Sequence, residues 1–418
     1  MPATQPAPDL ALPEISVPAG RTLAALGLGL AAGLGLSLAP EGAGWARLVV
    51  GVAEPLGALW LKGLQMTILP LVAALLVASI ARAVDTARAG ALARRALAGF
   101  FAVYGLSALS AALSVPVLLR LFPIPARAQA ALHAQGASAP VPGAADFVLS
   151  LLPDNIFAAL ANGAILPVIA FTCLFALAIT RIAPGQKALL VGLFDALAGA
   201  SMVMIGWVLA VAPFGVFALG LALAARSGVA ALGVLAHYVA LVSLAGVPVV
   251  LGAAGLAVGL GRVALGRYLA AMAPVGAVAL ATQSSLASLP AMLAACRRLG
   301  LRDATADFVL PLAVALFRAT GPAMNLAVAI YIAQLTGVPV TMASLVAGAV
   351  VAALTEISSP SLPGAISLIS AVGPVALAMG VPLAPLGLLV AVDMLPDLMR
   401  TVGNVAMDVA LVAAIERE

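Results

Sequence analysis

Long apolar segments separated by short polar stretches dominate the pattern of hydrophobic and polar positions along the chain. Before residue 262 these segments cover approximately 23–38, 57–81, 96–122, 148–181, 188–223 and 230–260. Each approaches or exceeds the roughly 20 residues that an α-helix needs to cross the hydrocarbon core of a bilayer. The pattern predicts an all-α polytopic membrane protein, with a disordered tail over 1–20 and a proline-rich external loop over 123–147.

Two later apolar stretches are interrupted near their middle by small and polar residues. The stretch 263–299 is broken at Thr282–Ser285, and the stretch 339–375 is broken at Ser358–Gly364. A straight helix of either length would be roughly 50 Å long and would overshoot the bilayer. We therefore predict two re-entrant hairpins rather than two proline-kinked helices. Such interrupted pairs indicate where a transporter binds its solute.

Composition supports this interpretation and excludes several classes of protein. Hydrophobic residues make up 64% of the chain and charged residues 9%, with a mean hydropathy of +1.19, whereas a soluble protein carries about 25% charged residues. A soluble fold could not cover its surface with so few charges. Cytosolic enzymes, nucleic-acid-binding proteins and disordered proteins are therefore excluded. The expected partners are membrane lipid and a small-molecule solute, with no nucleic acid.

The distribution of basic residues predicts an orientation. If the amino terminus is cytoplasmic and neither hairpin crosses the bilayer, most of the 20 Lys and Arg residues fall on the cytoplasmic side, in agreement with the positive-inside rule. This topology has eight transmembrane helices plus two re-entrant hairpins, with both termini cytoplasmic. The expected location is the plasma membrane, as a multi-pass protein of the bacterial inner membrane.

The last apolar segment carries a single polar stripe, which spans an arc of roughly 100° on a helix. Its members are Asp393, Asp397, Arg400, Thr401, Asn404 and Asp408. Ionisable groups are costly inside a membrane and usually mark a functional site. The alternative is a structural ion-pair network or a helix end in water. It could explain Asp408, near the cytoplasmic end, but it explains Asp393, Asp397 and Arg400 poorly.

The residue types of the stripe match the groups of an acidic amino acid. Arg400 offers a planar fork for a carboxylate, Asp397 accepts from an ammonium group, and Asn404 can donate to a second carboxylate. The hairpin tips would add hydroxyl and backbone donors. The tip residues are Ser284, Ser285 and Ser288 in the first hairpin, and Ser358, Ser359, Ser361 and Gly364 in the second.

With these residues, the chain resembles the dicarboxylate/amino acid:cation symporters, the glutamate-transporter-like family, from residue 22 to 415. The similarity is carried by the Ser-rich first tip, the polar stripe and three motifs. The motifs are Gly57–Pro70, Pro153–Gly163 and Ala212–Leu219. The resemblance implies a homotrimer with an elevator mechanism that carries aspartate, glutamate or related dicarboxylates. The coupling ion would be Na+ or H+, and no other cofactor is expected.

The resemblance also implies a division of the chain into a fixed scaffold and a mobile transport unit. The first two scaffold helices would lie within 21–81 and the fourth and fifth within 148–225. The transport unit would comprise the third helix (91–122) and residues 228–415, which hold the sixth helix, hairpin 1 (263–299), the seventh helix (303–335), hairpin 2 (339–375) and the eighth helix (379–415).

Residue roles follow from the same resemblance. Asp397 would take the amino group of the solute and Arg400 its side-chain carboxylate. Asn404 would take the main carboxylate, with support from Thr401. Asp408 corresponds to a sodium-binding aspartate, and Asn404 and Asp393 border the same cation region.

The chain departs from the family in the seventh helix. The family motif Asn-Met-Asp-Gly-Thr falls on Phe317–Gly321, so its sodium-binding asparagine and aspartate are missing and its substrate threonine becomes Gly321, with Thr320 adjacent. Arg318 is an additional charge there, and we expect Asp393, Asp397 or Asp408 to pair with it. The hypothesis is that Arg318 acts as a tethered cation in place of one sodium. Coupling to sodium would then be reduced, or replaced by proton coupling or exchange.

Several alternatives remain open at this stage. Arg318 could reach a membrane interface or mark a member that no longer transports. The solute could be a neutral or other amino acid, and the protein could be an anion channel. Asp393 and Asp397 could form the pair of an intramembrane aspartyl protease. Glu356 could be a proton-coupling carboxylate or a solvated group near the outer face.

Overall fold

The computed structural model describes residues 19–40, 44–88, 90–124, 152–358 and 364–417. Within these ranges the secondary structure is helical, with sixteen α-helices and no strand. Most of the predicted amino-terminal tail and of the predicted loop 123–147 lies outside the described residues. The all-α class predicted from the sequence is therefore observed across the part of the chain that is described.

The helices are α1 (Ala19–Ser37), α2 (Gly44–Arg88), α3 (Ala91–Leu121), α4 (Ile156–Ala161), α5 (Ile165–Ile179), α6 (Pro184–Ala210), α7 (Ala212–Ser227), α8 (Ala230–Gly259), α9 (Leu265–Thr282), α10 (Ser285–Leu299), α11 (Asp303–Leu316), α12 (Gly321–Thr336), α13 (Met342–Ser358), α14 (Gly364–Ala378), α15 (Leu386–Leu389) and α16 (Met394–Arg417).

Close helix packing in the first half of the chain depends on glycine. Helix α1 packs along α7, and α2 packs against α5, α6 and α7. A Cβ atom on Gly29 or Gly33 would overlap the backbone of α7 at Phe217 and Leu221, whereas one on Gly27 would meet open space. Small residues let membrane helices approach this closely. Gly29 and Gly33 are therefore what allows α1 and α7 to lie side by side.

The polar stripe of α16 lies inside the second half of the chain. Helix α16 packs against α8, α9, α10 and α11, while α12 packs against α3, α8, α13 and α14. Nearly every residue of α12 is buried, and so is most of α16. The pairs α9–α10 and α13–α14 thus flank the two most enclosed helices. The break at Gln283 and Ser284 coincides with the first predicted interruption, whereas the second predicted interruption falls on 359–363, outside the described residues.

Three predicted helices are broken in the structure. The eighth, predicted over 379–415, is divided into α15 and α16, and Asp393 lies in the turn before α16. The seventh, predicted over 303–335, is divided into α11 and α12 by the non-helical segment 317–320. The apolar run 188–223 is divided at Val211 into α6 and α7. Prolines favour a helix start after each break, because each following helix has a proline in its first turn, where the missing N–H costs least.

Eight helical stretches of the described chain are long and apolar enough to cross a membrane. They differ from the eight predicted spans, because they include Leu265–Thr282, which was predicted as half of the first hairpin. They also omit the fourth predicted span, over 148–181, because its helix Ile165–Ile179 is shorter than a full span. These helices fit a multi-pass membrane protein.

Candidate functional site

A short non-helical segment, residues 317–320, forms one wall of the candidate site. Phe317 is extended and its ring stacks on Phe100 of α3 at a centroid distance of 4.5 Å. The hydroxyl of Tyr104 donates to the carbonyl of Leu316 at 2.8 Å and accepts from the backbone N–H of Arg318 at 3.1 Å. The Tyr104 side chain of α3 therefore satisfies backbone groups that the break in the helix leaves open.

Thr320 joins this segment to the polar stripe of α16. Its backbone N–H and its hydroxyl both donate to Oδ1 of Asn404, at 2.9 and 2.7 Å, and the hydroxyl also approaches the carbonyl of Arg400 at 2.9 Å. Gly403 permits the contact, because a Cβ atom there would overlap Thr320. Two of the predicted site residues, Thr320 and Asn404, are thus in direct contact. Because the side-chain carbonyl oxygen of Asn404 already accepts from Thr320, a ligand would meet the side-chain amide N–H groups.

Arg400 is held by two carboxylates of its own stripe. Its Nη1 donates to Oδ1 of Asp397 at 2.7 Å and to Oδ2 of Asp393 at 3.2 Å. Asp393 is fully buried, whereas the side chain of Asp397 is 14% exposed. Asp397, which the sequence predicted as a receptor for an ammonium group, is therefore already paired with the guanidinium that was expected to bind a carboxylate.

The other donors of Arg400 remain available. Its Nε and Nη2 atoms are buried and have no hydrogen-bond partner within the described residues. A buried charged donor without a partner is costly, and a carboxylate is the group that best fits a guanidinium edge. This edge of Arg400 is the feature of the site that most directly indicates an anionic ligand.

Sequence reasoning missed Tyr238 as a member of the site. Its hydroxyl, from α8, donates to Oδ1 of Asp393 at 2.8 Å, and the tyrosine is completely buried. The bond gives Asp393 a second partner besides Arg400. A tyrosine in the apolar segment 230–260 carries no local signal that could reveal a partner 155 residues away.

Asp408 lies one helical turn beyond Asn404 and is fully buried. Both of its carboxylate oxygens lack a hydrogen-bond partner among the residues that the structure describes. The alternative of a solvated helix end at Asp408 is wrong, because the side chain has no contact with solvent. A buried carboxylate in this state fits a cation ligand. No group of three or more His, Cys, Asp or Glu side chains suited to a metal is found in the described ranges, so any cation would need other oxygen ligands as well.

Glu356 is a second buried carboxylate, near the end of α13. Its side chain is 3% exposed, and its Oε1 accepts a bond of 2.5 Å from Nδ2 of Asn325 in α12. The alternative of a solvated position for Glu356 is therefore wrong. In the sequence, its position within the second interrupted stretch was what indicated Glu356 as a candidate functional carboxylate.

Arg318 is half-buried in the non-helical segment. Two of its three expected partners, Asp393 and Asp397, are ion-paired with Arg400. The third, Asp408, has no hydrogen-bond partner for its carboxylate oxygens among the described residues.

The serines of the first interruption are used locally in this structure. The side chain of Ser284 accepts from the N–H of Ala287 at 3.2 Å and so caps α10, while the buried hydroxyl of Ser288 donates to the carbonyl of Ser284 at 2.9 Å. Ser284 and Ser285 are half-buried. In the second interruption, Ser359 and Ser361 lie outside the described residues, and Gly364 begins α14.

Thr401 is buried and lies one helical turn after Asp397 in α16. Its hydroxyl donates to the carbonyl of Asp397 at 2.9 Å, a bond within the helix. The direct partner of the Thr401 hydroxyl is therefore the backbone of α16.

Comparison with known proteins gives a family for the chain. The model of the sodium:dicarboxylate symporter family matches residues 19–418. The proton/sodium-glutamate symport protein of Bacillus subtilis is 29% identical over 263 residues, which cover 62% of this chain and 60% of that protein. The C4-dicarboxylate transport protein 2 of Ralstonia nicotianae is 27% identical over 96% of this chain and 89% of that protein. The proton/glutamate-aspartate symporter of Escherichia coli is 26% identical over 96% of this chain and 92% of that protein.

These matches confirm the resemblance inferred from the sequence motifs. The family and the relatives are transporters, so the alternative of an intramembrane aspartyl protease is set aside. The chain belongs to the sodium:dicarboxylate symporter family.

Proposed function

We propose that this protein is a secondary active symporter of acidic amino acids, such as aspartate and glutamate, or of related dicarboxylates. The observation that carries the proposal is the buried Nε and Nη2 edge of Arg400, which has no partner in the described structure. An incoming carboxylate would satisfy that edge with charge-assisted hydrogen bonds. The names of the relatives, which include glutamate, aspartate and C4-dicarboxylate transport, support the same solute class.

The arrangement suggests how a ligand would enter the cluster. Asp397 bonds to Arg400 and is the more exposed of its two partners, so a solute could exchange this internal bond for two of its own. Its side-chain carboxylate would bind Arg400, and its ammonium group would bind Asp397. The amide of Asn404 would donate to the main carboxylate, with Thr401 supporting Asp397. The tips at Ser284, Ser285, Ser359 and Gly364, with Thr320, would line the remaining sides.

Cation coupling follows from the family, and its form in this chain is part of the proposal. Asp408, with two buried oxygens that accept no hydrogen bond from the described residues, would ligate a sodium ion or take a proton, and Asn404 and Asp393 border the same region. We infer that Arg318 replaces one further cation. Transport would then depend less on sodium, or would proceed with protons or by exchange.

The packing supports the proposed architecture. Helices α1, α2, α5, α6 and α7 pack on one another, whereas α3, α8–α11 and α14 contact α16, and α12 packs against α3, α8, α13 and α14. In the proposal the first set forms the scaffold of an elevator and the second set its transport unit, with α9–α10 and α13–α14 as re-entrant hairpins. The proposal includes a homotrimer in the bacterial inner membrane with both termini cytoplasmic.

Uptake of labelled aspartate into liposomes tests the proposal. Purified protein should show saturable uptake, and replacement of sodium by choline should reduce it only modestly. Arg400→Lys keeps the charge but loses the fork, so uptake should fall by about tenfold or more. The matched control is Arg82→Lys in the exposed Arg82–Asp195 ion pair, which should behave like wild type. Steep sodium dependence would contradict the tethered cation, and flux that does not saturate would indicate a channel.

A neutral amino acid is the second candidate solute, and one observation favours it. Nη1 of Arg400 already bonds both Asp393 and Asp397, so the positive charge is largely neutralised before a solute arrives. A site of this kind could accept a solute that lacks a second carboxylate. Competition of labelled aspartate uptake by a panel of amino and dicarboxylic acids separates the two, because alanine or serine would compete only in the second case.

A further inference from the structure

His237, on α8, connects three helices and has no part in the solute site described above. Its Nε2 atom lies 2.9 Å from the carbonyl oxygen of Phe122, the residue that follows α3. Its Nδ1 atom lies 3.3 Å from the hydroxyl oxygen of Tyr331 on α12. Because a carbonyl oxygen only accepts, Nε2 carries a hydrogen and donates it to Phe122. His237 therefore fastens α8 to the end of α3 and to α12.

The ring of Tyr331 extends this connection to the next residue of α8, Tyr238. The two rings meet edge to face, with centroids 5.4 Å apart and an interplanar angle of 68°. The hydroxyl of Tyr331 also donates to the carbonyl of Val234 on α8, at 3.0 Å. Both tyrosines are completely buried, and a close-packed interior transmits a shift of one ring to its neighbour. A displacement of Tyr331 would therefore displace Tyr238.

Tyr238 links these rings to the buried arginine of the solute site. Its hydroxyl donates to Oδ1 of Asp393 at 2.8 Å, and Oδ2 of Asp393 accepts from Nη1 of Arg400 at 3.2 Å. Asp397 also accepts from Nη1, but from within α16. A guanidinium is rigid and planar, so the position of Nη1 sets the direction of the Nε and Nη2 edge. Asp393 thus ties the orientation of Arg400 to α8.

We propose that His237 is a positioning residue of the solute site, and that it sets the affinity for the incoming carboxylate through the two tyrosines and Asp393. The inference rests on the proposed function and deepens it, because it extends the site to a residue whose own bonds go to α3 and α12. Two consecutive residues of α8 share the task. His237 holds the end of α3, and Tyr238 holds the turn before α16.

Uptake of labelled aspartate by a His237→Phe variant tests the proposal. Phenylalanine keeps a ring against Tyr331 but loses both bonds. The variant should fold, because Tyr331 retains its bond to Val234 and the carbonyl of Phe122, an exposed residue, can bond to water. We expect KM to rise by about two- to tenfold, the range that one hydrogen bond supports, with an unchanged maximal rate.

The split between KM and the maximal rate separates positioning from folding. A purely structural role of His237 would reduce the amount of folded protein, which lowers the maximal rate and leaves KM unchanged. His237→Gln is the conservative variant, because its side-chain amide can still donate to the carbonyl of Phe122. It should recover most of the affinity that His237→Phe loses.

A double-mutant cycle with Tyr238→Phe tests whether His237 acts through Tyr238. Tyr238→Phe already removes the bond to Asp393, so the addition of His237→Phe should raise KM no further. Tyr268→Phe is the matched control background, because Tyr268 reaches the same helix α16 from α9 and donates to the carbonyl of Ala406. In that background His237→Phe should raise KM by the same factor as in wild type.

An unchanged KM in His237→Phe, or equal rises in both backgrounds, would overturn the role of His237. Absence of aspartate uptake by the wild type would reject the proposed solute, and thermal unfolding of the same variants then measures the coupling without any solute. Losses for His237→Phe and Tyr238→Phe should combine to less than their sum, whereas additive losses would overturn the proposal. If His237→Phe does not fold, Tyr331→Phe replaces it in each comparison, since it removes the same contact with Nδ1.

Discussion

Thr320 donates twice to one atom of Asn404, through its backbone N–H at 2.9 Å and through its hydroxyl at 2.7 Å. The two residues are 84 positions apart, and both are buried. The contact fastens the non-helical segment between α11 and α12 to the middle of α16. The position of Arg318 relative to the polar stripe therefore depends on this contact.

Thr320→Val tests that dependence, because valine keeps the volume but loses the hydroxyl. Removing the hydroxyl leaves the side-chain oxygen of Asn404 with one donor fewer in a buried site. The free energy of unfolding should therefore fall by about 1–3 kcal/mol. Thermal unfolding in detergent measures the loss. Thr172→Val, where the buried hydroxyl donates to the carbonyl of Val168 in its own helix, should cost distinctly less. Equal losses in the two variants would mean that the bond from Thr320 to Asn404 stabilises the protein no more than a bond within one helix.

Tyr238→Phe tests the neighbouring support of the site. Without the phenol, Asp393 keeps only the 3.2 Å bond from Arg400, so a fully buried carboxylate loses its shorter bond. We expect a loss of about 1.5–3 kcal/mol, the range for a hydrogen bond to a charged group. Tyr268→Phe is the control, since Tyr268 donates to the neutral carbonyl of Ala406 at 2.7 Å and should lose only about 0.5–1.5 kcal/mol. If Tyr268→Phe lost as much stability as Tyr238→Phe, the bond to the Asp393 carboxylate would have no greater effect than a bond to a neutral carbonyl.

The sequence predicted which residues of the last helix share a face better than it predicted which residues bond to them from other helices. A repeat close to 3.6 residues placed Asp393, Asp397, Arg400, Asn404 and Asp408 on one face, and the structure buries that face except for part of Asp397. Periodicity is local information, so it can identify a helix face without naming the partner across it. The bonds from Tyr238 to Asp393 and from Asn325 to Glu356 join different helices, and no spacing in the chain encodes them.

The helix breaks were also only partly predictable. Pro322 follows the break at 317–320, and a proline in the first turn of a helix is a recognised start signal. That signal was available but was outweighed by the continuous apolar run. The extended conformation of Phe317 instead depends on the stack with Phe100 and on the bonds from Tyr104. Such tertiary contacts override local preference and become visible only in three dimensions.

Asp408→Asn should remove the response of the protein to its coupling ion. The two buried oxygens of Asp408 have no hydrogen-bond donor in the described part of the chain, so a cation or a proton is the group that best satisfies them. Wild-type protein should unfold at a higher temperature in sodium chloride than in choline chloride if sodium binds there. The variant should lose that difference. A sodium-dependent shift that persists in Asp408→Asn would place the ion elsewhere.

Gly33→Ala tests whether the contact between α1 and α7 depends on the absence of a side chain. The added methyl group would overlap the backbone carbonyl of Leu221, and backbone cannot move aside as a flexible side chain can. Overpacking of this kind should lower stability by about 1–3 kcal/mol, measured as a fall in the unfolding temperature in detergent. Gly27→Ala is the matched control on the same helix, because a Cβ atom there meets nothing within 4 Å. Alanine forms helix better than glycine by about 1 kcal/mol, so the control should be neutral or slightly stabilised. If both variants unfold at the same temperature, α1 does not pack on α7 at Gly33.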